Sequence, residues 1–69
     1  MNKYEIIIFW SEQDNAFVAE IPELKGSMAH GESHNEALKK VKLVANEWLA
    51  IAKKEKWIIP EPKGRLVFA

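Results

Sequence analysis

The chain has 69 residues, ten basic and ten acidic side chains, three Trp and no Cys. That length builds one small domain with a marginal core, and the lack of Cys excludes disulfide or Cys-based zinc staples, so oligomerisation is the expected support. A formal net charge of zero gives no drive toward nucleic acid or an anionic membrane, while 48% hydrophobic residues favour apolar surface buried against another chain.

No apolar run approaches the ~18 residues of a membrane span, and the N-terminus lacks the layout of a signal peptide. The expectation is a cytoplasmic protein that does not meet a membrane. Residues 1–69 read as a single domain without repeats or linkers.

Lys3 to Trp10 is a run of β-branched and aromatic residues, apolar on both faces, which predicts a central first strand. The polar segment Ser11 to Asn15 predicts a hairpin turn, and Ala16 to Ile21 alternates as a second strand. Pro22 ends that strand, Gly26 turns the chain, and Ser27 to His30 returns as a short third strand.

Ser33 and Glu36 have the spacing of a capping box, so a helix is expected from His34. Ala37, Leu38, Val41, Val44, Ala45, Trp48, Leu49, Ile51 and Ala52 form its apolar stripe, with lysines opposite and Leu43 among them; the helix should run to about Lys56. Beyond the Ile59-Pro60-Glu61-Pro62 exit, Arg65 to Ala69 predicts a fourth strand. The fold class is therefore α+β, an antiparallel sheet covered by one long helix in the order β-β-β-α-β.

The ordered set Phe17, Ile21-Pro22-Glu23-Leu24-Lys25-Gly26, Gly31-Glu32-Ser33 and Glu36-Ala37-Leu38 resembles the N-terminal domain of HicB-type antitoxins, from Tyr4 to about Pro62. The resemblance implies a truncated ribonuclease-H-like fold and a type II toxin-antitoxin role, in which the antitoxin docks on a small basic HicA-like toxin and masks its catalytic histidine and RNA-binding surface. Fuller HicB proteins add a C-terminal operator-binding segment. This chain ends at Ala69, so no direct nucleic acid binding by the chain alone is expected.

The acids, histidines and serines are the side chains that could carry chemistry. If Trp10 pairs with Ala16, strand alternation puts Glu5 and Glu20 on opposite faces, where they cannot share a metal. His30 and His34 fall on different elements, the serines have no elbow motif, and phosphate-loop and dinucleotide fingerprints are absent. The expectation is no enzyme, no metal and no cofactor.

A protein-binding module then needs apolar anchors and acids for a basic partner. The candidates are Glu12, Asp14, Glu23 and Glu32 from loops, with Trp10 and Trp57 as anchors or as lids on the core. A homodimer is also expected, because Leu66-Val67-Phe68 would leave an apolar strand edge to cover. The alternatives are a metal-dependent nuclease of ribonuclease-H-like descent and a stand-alone homo-oligomeric scaffold.

Overall fold

A computed structural model describes residues 4–61. Three strands, β1 (Ile7–Ser11), β2 (Ala16–Glu20) and β3 (Met28–Gly31), form an antiparallel sheet in the order β1-β2-β3, and a 22-residue helix, α1 (His34–Glu55), covers one face. This is the α+β layer expected from the sequence. The expected fourth strand at Arg65–Ala69 lies outside the described residues.

Helix α1 starts where the cap predicts. Ser33 has extended backbone (φ −142, ψ 166) and its hydroxyl accepts from the Glu36 amide at 3.1 Å. The reciprocal bond differs from a standard capping box: Glu36 Oε1 accepts from the amide of Glu32 at 2.6 Å, one residue earlier than Ser33. The side chain reaches past the cap because the chain is already turning out of β3 at Glu32.

At the other end Lys56 adopts left-handed backbone (φ 60, ψ 37) and its amide bonds back to the carbonyls of Ala52 and Lys53. The Trp57 amide reaches the Ala52 carbonyl at 2.8 Å. These bonds form a Schellman motif, which satisfies carbonyls that the helix end would otherwise leave open. Lys53 and Lys54 in the last turn face the negative end of the helix dipole.

The contact between helix and sheet is built from small residues. Ala37, Val41, Ala45 and Ala52 are the buried residues of α1, and Ala19 and Ala29 meet them from β2 and β3. Ile21 and Leu24, both fully buried, close the core from the β2–β3 connection. That connection is held by three backbone bonds, Ile21 N–H to Ser27 O, Leu24 N–H to Ile21 O and Ser27 N–H to Leu24 O, with Gly26 at φ 86. The Pro22 to Gly26 segment is therefore a plug that drives Leu24 inward.

Larger apolar residues of α1 sit around this alanine contact. Val44, Trp48 and Leu49 are partly buried against it, and the Trp48 indole N–H donates to the Lys25 carbonyl at 3.1 Å. Ile51, expected on the apolar stripe, is half-exposed, since it lies about 100° around the helix from Ala52. Leu43 is exposed among the lysines, as its position on the polar side predicts.

The hairpin register differs from the expected one. Ser11 pairs with Ala16 and Trp10 with Phe17, so the turn is Glu12 to Asn15 and Ser11 belongs to β1. Asp14 holds the Ser11 hydroxyl in the strand: Ser11 Oγ donates to Asp14 Oδ2 at 3.1 Å and accepts from the Asp14 amide at 3.2 Å. Asn15 closes the turn at φ 52, a backbone that Asn tolerates better than most residues.

A one-residue shift exchanges the faces of one strand relative to the other. Ile8 and Trp10 of β1 share the helix-facing side with Phe17 and Ala19 of β2 and with Ala29 and Gly31 of β3. Ile7, Phe9, Val18, Glu20, Met28 and His30 share the opposite side. Among the described residues β2 lies between β1 and β3, and the odd positions of β1 lie on this second face; the expected central position of β1 turns on the fourth strand, which lies outside them. The strand also starts later than expected. Before it, the Tyr4 hydroxyl donates to the Pro60 carbonyl and the Glu5 amide donates to Glu23 Oε1 at 3.1 Å.

Two substitutions test this account. A Cβ on Gly31 would lie 2.5 Å from the Ala37 backbone nitrogen and 2.9 Å from the Glu36 Cβ. Gly31→Ala must therefore push β3 from the helix start, and urea unfolding is expected to show a loss of about 1–3 kcal/mol. Lys56→Gly relieves left-handed backbone at an exposed cap without removing a packing side chain, and should add about 0.5–1 kcal/mol, read as a melting temperature several degrees higher. An unchanged Gly31→Ala, or a Lys56→Gly that melts lower, would contradict the described contacts.

Candidate protein-docking surface

The six residues singled out from the sequence fall into two groups. Trp10, Glu12, Asp14 and Glu32 gather at the end of the sheet where the β1–β2 turn and the exit of β3 meet the start of α1. Glu23 and Trp57 lie at the opposite end, with the β2–β3 connection and the end of α1. They do not converge on one site.

Both tryptophans are half-exposed, and each is also held by a ring. Trp10 meets the edge of Phe17 with centroids 5.1 Å apart, and Trp57 meets Trp48 in the same manner at 5.7 Å. Each edge-to-face pair adds roughly 0.5–1.5 kcal/mol beyond the area it buries. The lid and anchor readings are thus both satisfied in part: one side of each ring covers the domain and the other meets solvent.

At the hairpin end Asp14 links three elements. Its Oδ2 accepts from Ser11 Oγ and lies 3.3 Å from His30 Nε2, tying the β1–β2 turn to β3 across the sheet. The residue types match a hydrolytic triad, but the order does not. The carboxylate stands between hydroxyl and imidazole, whereas a nucleophile needs the imidazole beside its own hydroxyl. The arrangement is a turn clamp. His34, in the first turn of α1, packs its ring on Phe17 with centroids 4.2 Å apart.

The metal argument based on alternation needs correction. With Ile7 opposite Glu20, strand parity no longer separates positions 5 and 20. Glu5 precedes β1, and its amide is engaged by the Glu23 carboxylate. Among the described residues no group of three or more His, Cys, Asp or Glu is arranged to hold a metal ion. Likewise, no described helix is long and apolar enough to cross a membrane.

The feature that loop-centred reasoning missed is the sheet face turned away from α1. Val18 is 1% exposed at its centre although no helix covers it, because Phe9 and His30 flank it on the neighbouring strands. Phe9 and Met28 are 41% and 46% exposed, and Ile7 is comparable. The signal was present in the sequence as apolar residues on both sides of β1.

Charge is segregated across the two layers. From Tyr4 to Ser33 there are six acids, Glu5, Glu12, Asp14, Glu20, Glu23 and Glu32, against one base, Lys25. From His34 to Glu61 there are six lysines, at 39, 40, 42, 53, 54 and 56, against four glutamates. The zero net charge of the whole chain, which also counts Lys3, Lys63 and Arg65 outside the described residues, conceals a strongly acidic half at residues 4–33 and a mildly basic half at residues 34–61. One helix pair, Glu36 with Lys40 at 3.9 Å, offsets part of the latter.

Comparison with known proteins adds one match. No curated protein and no solved structure is matched by the chain. Residues 2–60, nearly all of the described structure and most of the sequence, match the UPF0150-like family. The match takes in all three strands, the Leu24 plug, the whole of α1 and its Schellman exit. The chain belongs to the UPF0150-like family.

Proposed function

We propose that this protein is an antitoxin-like binding module that neutralises a small, basic, HicA-like mRNA-cleaving toxin. The observation that carries the reading is the charge segregation, in which six acids and a single lysine occupy the strand half of the chain. A toxin that binds RNA presents a basic surface, and an acidic layer of this kind both attracts it and competes for the same cations. The UPF0150-like match and the HicB-type motif set, Pro22, Gly26, Gly31, Ser33, Glu36, Ala37 and Pro60, support an antitoxin-like module.

Each motif residue in the described structure has a structural task as strand stop, turn, helix cap, close packing or helix exit. They build the platform and leave recognition to other residues. The proposed role requires only that the platform bind, mask the toxin's RNA site and hold it; the chain itself performs no bond-breaking step in this scheme.

The test is co-expression with a HicA-like toxin. The toxin alone is expected to arrest growth and the pair to restore it, with a stoichiometric complex on gel filtration. Raising salt from about 50 to 500 mM should weaken the purified complex by roughly tenfold or more, since exposed charge pairs are screened. Continued arrest, or separate elution of the two proteins at low salt, would refute the proposal.

A further inference from the structure

We infer that the toxin-like partner docks on the open face of the sheet, with Phe9, Met28 and Ile7 as apolar anchors and Glu20 and Asp14 as cation-seeking contacts. This rests on the antitoxin reading for the partner and goes beyond it in assigning the surface. The occupant is a basic protein.

Three observations converge on this face. Its centre is packed: Val18 is fully buried in the middle strand, with Phe9 and His30 as its neighbours on the flanking strands. Its exposed apolar residues are large, with Ile7 and Phe9 alternating along β1 and Met28 on β3 in the row of Ile7, Glu20 of β2 standing between the two. Such a cluster resembles the core of an interface more than scattered exposed residues do.

The third observation is charge. None of the residues in β1, β2 or β3 is Lys or Arg, and the face carries Glu20 between Ile7 and Met28 and the Asp14–His30 pair toward the β1–β2 turn. A basic protein finds one carboxylate among the apolar residues, at Glu20, and a second beside His30, at Asp14. A second copy of this chain, docked through the same face by two-fold symmetry, would bring this acidic patch against itself. Charge thus favours a different, basic partner over self-pairing here.

The outer side of α1 supplies the internal control, since Leu43 is exposed there among lysines. Binding of the co-purified HicA-like protein would be measured by calorimetry for the wild type, Phe9→Glu, Met28→Glu and Leu43→Glu, each first shown to fold by circular dichroism. A cross-saturation NMR experiment on the wild-type complex would accompany them, so that a misfolded variant does not decide the result.

Phe9→Glu and Met28→Glu are each expected to weaken binding by about 30-fold or more, as for a central anchor, while Leu43→Glu changes it less than about threefold. Cross-saturation should fall on the methyl groups of Ile7 and Met28. Loss through Leu43→Glu with both sheet variants unaffected, or saturation confined to α1, would overturn the surface assignment and leave the antitoxin reading standing. No binding by the wild type would overturn both. A dimer of this chain alone that Phe9→Glu dissociates would give the face to a second copy and overturn the assignment.

Discussion

The structure depends on how closely α1 approaches the sheet at its first turn. Gly31 ends β3 against the backbone of Ala37, and from that point the helix continues over Ala19 and Ala29 on its own alanines and Val41. Small residues on both sides let two layers approach closely and make contact over backbone as well as side chains. The Ser33 cap and the Glu36-to-Glu32 bond then fix where the helix begins relative to that contact. A helix started one residue later would turn its alanine stripe by about 100° and put larger residues against the sheet.

This arrangement has a consequence for the large hydrophobic residues. A core lined with alanine leaves Trp10, Ile51 and Trp57 at its margin, and strand alternation turns Phe9 and Met28 to the other face of the sheet; all five remain about half-exposed. Leu24 and Ile21 enter from a connection and fill the end of the layer instead. The high hydrophobic content of the chain is therefore divided between a thin core and an apolar exterior. For so small a domain that exterior is costly in water, and a protein that works by binding can recover the cost upon docking.

The sequence made some of this legible and hid the rest for specific reasons. The helix start at His34 and its end near Lys56 could be read because Ser33, Glu36 and the later prolines act locally. The hairpin register could not: Ser11 has the polar character of a turn residue, but Asp14 holds its hydroxyl from outside, and the residue stays in β1. That single position reversed the faces of β1 relative to β2. It put Ile7 and Phe9 on the face of Val18 and Glu20, and it removed the parity separation of positions 5 and 20. Leu24 was hidden for a related reason, since only the three bonds around the Pro22–Gly26 segment show that a loop leucine points inward.

The candidate residues show the same limit. Glu12, Asp14, Glu23 and Glu32 were chosen as loop acids, a choice that treats each by type and ignores where loops meet; the fold then sends Glu23 to one end and the others to the opposite end. What unites the acids is the layer they occupy. A whole-chain charge of zero averages an acidic strand half, a mildly basic helix half and three basic residues outside the described structure, so it says nothing about what either surface attracts. An approaching partner responds to the layer it meets within about a Debye length of ~8 Å, and at that range the strands carry acids without Lys or Arg while the helix mixes lysines with glutamates. The sheet layer thus offers local negative charge and, through strand alternation, the apolar side chains of Ile7, Phe9 and Met28 on the side away from α1.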